Sequence, residues 1–203
     1  MKSKNHLKRE KNILYTGFGD KGTTTLFNCK QGRVSKSALI IEALGAVDEL
    51  NAYLGIVKVY AEKEQLKIKI GNKNISYSLL VDEIQQVLFI IQAELAGSEL
   101  TVLKKSLNRI EKIINTIGDI LPPIKSFTVS GGSLLSAKLD YGRTLARRVE
   151  RRIISVGEEE GSKKIGLVTL SYLNRLSSVL FAMSRYANFI LDISEEHPRY
   201  NKK

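Results

Sequence analysis

Five blocks of apolar residues, each spaced three and four apart, constrain this chain more than any other feature. That spacing puts one apolar stripe on each of five helices. The first block opens at Ser37 and carries Ile41, Leu44, Val47, Leu50, Leu54 and Val57. A polar break from Lys69 to Ser76, with Gly71 and Asn72 inside it, follows. The second stripe is Leu80, Ile84, Val87, Leu88, Ile91 and Leu95, and Gly97 is expected to end it. The third runs from about Leu103 to Leu121 through Leu107, Ile110, Ile113, Ile114 and Ile117, and Pro122-Pro123 stops it. Phe127-Thr128-Val129 reads as a short extended connector, Ser130-Gly131-Gly132-Ser133 as a turn, and Ser133 as the N-cap of the next helix. That fourth helix runs from Leu134 to about Val156, and the glycine-bounded loop Gly157 to Gly161 closes it. The fifth runs from about Leu167 to Ile193, carrying Leu170, Leu173, Leu176, Leu180, Phe181, Tyr186 and Leu191. No stretch alternates with period two and no repeat is visible, so the expected fold is an all-α, five-helix bundle. A nonhelical, glycine-rich N-terminal segment precedes it, because Gly17, Gly19, Gly22 and Gly32 stand among β-branched threonines. Residues 1–12 read as a basic flexible tail and 13–203 as a single helical domain, since 203 residues suffice for one full core.

Charge and composition narrow the function classes. Lys and Arg number 32 against 21 Asp and Glu, a formal net charge of +11. That balance favours polyanionic partners: nucleic acid, acidic membrane or phosphorylated small molecules. Cys29 is the only cysteine, which excludes a disulfide framework and a Cys-cluster zinc site. With only His6 and His197, a histidine metal site is not expected. No apolar run reaches the length of about 18 residues that a membrane span needs. The basic N-terminus lacks an apolar stretch, so it does not read as a secretory signal and a cytoplasmic location is expected.

Four constellations carry chemistry. In Tyr15-Thr16-Gly17-Phe18-Gly19-Asp20-Lys21-Gly22-Thr23-Thr24-Thr25, glycines let backbone N–H groups approach an anion, threonine hydroxyls add donors and Lys21 adds a point charge. It is neither a Walker A loop nor a Rossmann fingerprint, and a plain surface loop fits the pattern equally well. On the fourth helix, Arg143, Arg147, Glu150 and Arg151 fall at i, i+4, i+7 and i+8 and share a face. Guanidinium forks match phosphate oxygens, although a solvated basic face or a nucleic-acid contact would use the same residues. On the first helix, Asp48 lies between Val47 and Leu50, beside the apolar stripe, and Arg143 is its expected cation. On the last, Asn174 follows Leu173, where a buried amide must be hydrogen-bonded, to a ligand or to backbone.

Together these residues resemble the PduO-type ATP:cob(I)alamin adenosyltransferase family. The matching stretches are Tyr15 to Thr25, Glu42 to Asn51, Gly131-Gly132, Arg143 to Arg152, Asn174-Arg175-Leu176-Ser177 and Arg185-Tyr186-Ala187-Asn188, in the family's order. The resemblance implies a homotrimer with active sites between subunits. It implies transfer of the 5′-deoxyadenosyl group from ATP to the cobalt of a reduced corrinoid such as cob(I)alamin, a substrate, with release of triphosphate. The implied ATP-binding residues are Thr16, Gly17, Phe18, Gly19, Asp20, Lys21, Gly22, Thr24, Thr25, Lys36, Arg147, Arg148, Glu150, Arg151 and Asn174. Mg²⁺ would accompany the phosphates, with Glu150 the protein group nearest it. Asp48 and Arg143 match paired residues on the corrinoid side, Phe127 matches an aromatic that displaces the lower axial base, and Arg147 completes the catalytic set. A reductase is the further partner implied, and neither membrane nor nucleic acid is. The family often has histidine where Asp140 stands, proline where Ser130 stands and an acidic residue where Ser178 stands. The rival readings are a basic helical module binding nucleic acid or a protein partner, recognisable by an extended basic stripe, and a non-catalytic nucleotide or corrinoid sensor of the same family.

Overall fold

The stripe that begins near Ser37 becomes α1 (Leu39–Glu64), the longest helix, and it is the wall on which the bundle is built. The computed structural model describes residues 14–27, 32–159 and 164–200; the basic tail, Cys29 and His6 lie outside them. After α1 come α2 (Tyr77–Leu95), α3 (Lys104–Ile120), α4 (Leu134–Glu158) and α5 (Leu167–Ile190). α1 packs between α2 and α4, α4 packs on α5, and α5 on α3. The core is made of the expected stripes: Val47, Leu50, Leu54 and Val57 of α1, Ile84, Leu88 and Ile91 of α2, Ile110, Ile113 and Ile117 of α3, Leu139, Leu145 and Val149 of α4, and Leu173, Leu176 and Leu180 of α5 are all buried. The fold is therefore the five-helix bundle that the periodicity predicts.

Helix starts follow from capping chemistry. Ser76 accepts the Leu79 N–H at 3.2 Å and opens α2, three residues earlier than the apolar stripe alone indicated. Ser133 accepts the Ser136 N–H at 3.1 Å and opens α4 as predicted. At the start of α5 the N-cap is Gly166, which has no side chain to offer. Buried Glu94 of α2 substitutes for one, accepting the Gly166 N–H at 2.8 Å and the Thr169 hydroxyl at 2.7 Å. A carboxylate there also complements the positive end of the helix dipole. α5 ends at Ile190, short of the expected Ile193, because the chain turns at Asp192 with φ 54°.

One expectation is overturned. The break between the first two helices does alternate: β3 (Lys67–Ile70) and β4 (Lys73–Ser76) form an antiparallel hairpin with Ile68 opposite Ile75. Leu66, Ile68 and Ile70 are buried while Lys67 and Lys69 are exposed. The lysines make the stretch look polar, yet every second residue points into the core, which is what a one-sided strand requires. A second, shorter pairing, β1 (Thr23–Thr24) with β2 (Val34–Ser35), lies in the N-terminal segment. No helix among the described residues is long and apolar enough to cross a membrane.

Candidate active site

Residues 17–22 form a tight double turn, in which the Asp20 N–H reaches the Gly17 carbonyl at 3.2 Å and the Gly22 N–H the Gly19 carbonyl at 3.1 Å. The loop then folds back on β2, and the Lys36 N–H donates to the Gly22 carbonyl at 2.9 Å. The Lys36 side chain lies over Gly19, so closely that a Cβ at position 19 would stand 3.0 Å from Nζ. Arg33 staples the loop from the other side, donating to Thr23 Oγ1 at 2.8 Å and to the Thr23 carbonyl at 2.7 Å, and to the Phe18 carbonyl. Thr16, Gly17, Asp20, Lys21, Gly22 and Thr25 are exposed, and Thr24 is half-buried. Phe18 is exposed as well. The loop therefore offers backbone amides, hydroxyls and the Lys36 ammonium at one surface. Sequence reading missed Arg33: nothing in the sequence distinguishes its structural role from the loop's other basic residues.

The remaining predicted residues gather elsewhere. Arg143 and Arg147 of α4, Ser177, Ser178 and Phe181 of α5, and the connector from Ile124 to Thr128 line one groove of about 590 Å³. Phe127 stands 80% exposed at its edge. Two turns further along α4, Glu150 accepts a hydrogen bond from Asn174 Nδ2 at 2.9 Å. Asn174 is thus exposed and bonded across to α4 rather than buried against backbone, so its apolar neighbour Leu173 misled the sequence reading. Arg148 and Arg152 pair with Glu49 and Glu42 of α1. Among the described residues Arg147 and Arg151 make no ion pair, so two guanidinium forks remain directed outward. The helix carries a short cluster of free cations flanked by neutralised ones, not a continuous basic stripe. Glu150 retains a carboxylate oxygen and has no acidic neighbours able to build a cation cage, since no cluster of three or more metal-ligating side chains exists among the described residues. One hard oxygen of this kind suits Mg²⁺ that arrives already bound to phosphates.

The expected contact between Asp48 and Arg143 is not made within the chain. Asp48 is exposed on α1. Arg143 pairs instead with Asp140, one turn earlier on its own helix, at 3.5 Å, and its guanidinium lies 5.8 Å from the Phe181 ring. An i,i+3 partner on the same helix is always within reach, whereas a carboxylate across the bundle must be brought by packing.

The connector bearing Phe127 is fixed from two directions. The C-terminal residues lie along it: the Val129 N–H donates to the Glu196 carbonyl at 2.8 Å, and His197 Nδ1 sits 2.9 Å from both the Phe127 carbonyl and Ser126 Oγ. Arg185 of α5 anchors that arrangement by a bidentate pair with Glu195 and a bond to the Pro122 carbonyl. The turn after it is held by Asn188, which accepts the Ser133 N–H at 2.9 Å and donates to the Gly131 carbonyl at 2.8 Å. Gly132 has φ +96°, and a Cβ there would lie 2.5 Å from the Asn188 amide, so glycine is required on both counts. No hydrogen bond or ion pair among the described residues joins the loop at 14–27 to α4. The two halves of the expected nucleotide site are therefore not bonded to each other within one chain, although the Arg152–Glu42 pair brings the first turn of α1 to α4.

The family profile described as cobalamin adenosyltransferase matches residues 14–187. The corrinoid adenosyltransferase PduO of Citrobacter freundii is 35% identical over 179 residues, covering 85% of this chain and 49% of that protein. The corrinoid adenosyltransferase of Bacillus subtilis is 34% identical over 179 residues, 86% of each chain. The chain spans about half the length of the PduO proteins it matches. Among solved structures, a phenylalanine-to-histidine variant of the PduO-type ATP:corrinoid adenosyltransferase from Lactobacillus reuteri, complexed with cobalamin and ATP, is similar with a TM-score of 0.79 and 28% identity, covering 94% of this chain and 98% of that one.

Proposed function

This chain belongs to the cobalamin adenosyltransferase family, and from that premise we propose that it transfers the 5′-deoxyadenosyl group of ATP to the cobalt of a reduced corrinoid such as cob(I)alamin, releasing triphosphate. The observation that carries the proposal is the groove in which exposed Phe127 and the cations of Arg143 and Arg147 converge. Residues 13–203 act as one adenosyltransferase domain behind a basic tail. The loop from Thr16 to Thr25 with Lys36 holds one side of ATP, and Arg147, Arg148, Arg151 and Asn174 hold the other. Because those two groups make no hydrogen bond or ion pair with each other among the described residues, a second copy closes each site, in a homotrimer. The protein works where ATP and a reductase are both at hand, in the cytoplasm.

The reaction asks little covalent chemistry of the protein. Cobalt(I) is the nucleophile: its electron pair forms the bond to C5′, and the C5′–O bond breaks with its pair going to the triphosphate. The protein supplies alignment and charge stabilisation of the leaving group. Arg147 and Arg151, without an ion pair among the described residues, are available for that developing charge. Glu150 would hold the Mg²⁺ carried by the phosphates, and the ion would neutralise part of their charge. Phe127, presented by the connector at the groove's edge, excludes the lower axial base and water from cobalt. An electron added to a cobalt without that ligand is easier to accept, and the reductase delivers it. Incubation with ATP, Mg²⁺ and chemically reduced cobalamin under strict anaerobiosis should give the cobalt–carbon spectrum of adenosylcobalamin, and its absence would overturn the proposal.

A further inference from the structure

We infer that Asp140 is a positioning residue, one that fixes the Arg143 guanidinium in the groove and ties it to the Gly131-Gly132 turn. The inference rests on the corrinoid reading above and adds to it a residue that none of the site assignments includes. Asp140 is only 7% exposed, in the second turn of α4. One carboxylate oxygen, Oδ2, accepts the Gly131 N–H at 3.3 Å, and the other, Oδ1, lies 3.5 Å from Arg143 Nε. Arg143 Nε is itself buried and has no hydrogen bond of good geometry, so this ion pair is what compensates it. The terminal nitrogens of Arg143 bond to nothing among the described residues, while the guanidinium stands beside Phe181. The fork is thus held at its stem by a carboxylate and beside an aromatic ring, with its donors left for whatever enters the groove. Arg143 and Phe181 both line that groove, and Asp140 and Phe181 line the smaller cavity under the Gly131-Gly132 turn, so Asp140 stands behind the groove wall. It acts on the corrinoid through Arg143 rather than by touching it. A buried carboxylate and a buried guanidinium nitrogen each carry a desolvation cost that their pairing helps to relieve. Removing the charge at 140 therefore frees Arg143 to change direction.

Asp140→Asn separates charge from shape, because the amide oxygen still accepts the Gly131 N–H. In the full-length protein, kcat/KM for the reduced corrinoid should fall roughly tenfold at saturating ATP while KM for ATP stays within about twofold. Combined with Arg143→Lys, the losses should be far from additive, because both variants break one contact. A readout independent of turnover uses phenylglyoxal, which modifies accessible guanidiniums. Arg143 should react severalfold faster in Asp140→Asn than in the parent, with Arg147 unchanged as the internal control. Equal rates at Arg143 would overturn the inference even if the parent proved inactive, and an active parent with an unimpaired Asp140→Asn would overturn it while leaving the proposed function standing.

Discussion

Arg147 is exposed on α4, unpaired among the described residues, and at the edge of the groove, so its removal should be felt in catalysis and not in folding. A charge-assisted contact to phosphate is worth about 1.5–3 kcal/mol, so Arg147→Ala should weaken ATP use roughly tenfold to hundredfold. Titration with ATP by calorimetry, together with thermal melting, checks both halves: unchanged ATP affinity would mean that Arg147 only solvates the helix. Tyrosines show the opposite case, residues that matter to folding alone. Tyr53 donates to the Lys138 carbonyl at 2.9 Å, and burial first, with the neighbouring Tyr141 second, pushes its pKa from 10.0 up to about 12. Burial raises Tyr77 and Tyr172 as well. A raised pKa means the folded state favours the neutral phenol. Its contribution to stability is complete below pH 10, the unfolded value, and is lost as pH climbs from there through about 12. Alkaline titration should therefore show these phenols ionising together with loss of helix, and the absence of tryptophan leaves tyrosinate absorbance as a clean report. Tyr53→Phe should flatten that pH dependence; an unchanged alkaline transition would mean that Tyr53 takes no part in it.

At the scale of elements, long amphipathic helices were legible because each stripe repeats over many turns, and the interruptions carried strong stop signals at Gly97 and Pro122-Pro123, whereas α4 runs through the expected stop at Gly157 to Glu158. The β3–β4 hairpin was not. Its alternation is confined to the four residues of β3, too few to stand out, with Lys67 and Lys69 masking it, and β4 does not alternate at all. Burial of Ile68 tests the element's weight: Ile68→Ala should cost about 2–5 kcal/mol in denaturant unfolding, because it opens a cavity in a sealed core. Lys69→Ala, one residue on and facing water, should change stability by no more than about 0.5 kcal/mol. Similar losses for both would show the hairpin to be a surface flap. The site was legible for a different reason than the helices: guanidiniums at i, i+4 and i+8 announce a shared face whatever surrounds it. What stayed hidden was pairing. Whether Arg143 meets Asp48 or Asp140 depends on how helices pack, and the spacing of one chain leaves both open. Glu94 capping α5 from α2 was hidden likewise, since 72 residues separate it from Gly166.

The whole molecule poses a question that no single chain answers, because the glycine loop folds against β2 and Lys36 while the free arginines stand on α4, and no hydrogen bond or ion pair among the described residues connects them. If each site takes its loop from one copy and its arginines from the next, damage at the two places is separable in a way an intrachain site forbids. Lys36→Glu removes the ammonium beside Gly19, and Arg147→Glu removes a fork from α4. Each variant alone should be close to inactive, since every site in the proposed homotrimer would lack one half. Coexpressed in equal amounts, the two chains assemble at random. A site is whole when the copy lending the loop carries the intact Lys36 and the copy lending α4 carries the intact Arg147. Each condition is met half the time, so about one quarter of the parent's adenosyltransferase activity should return. A site contained in one chain would restore nothing, since every chain in the mixture is damaged. Purification through two different tags, one on each variant, isolates mixed assemblies and removes the trivial explanation that the chains failed to meet. Mixed assemblies with no activity above either variant alone would refute the shared site, and would require the loop and α4 of one chain to come together on binding ATP.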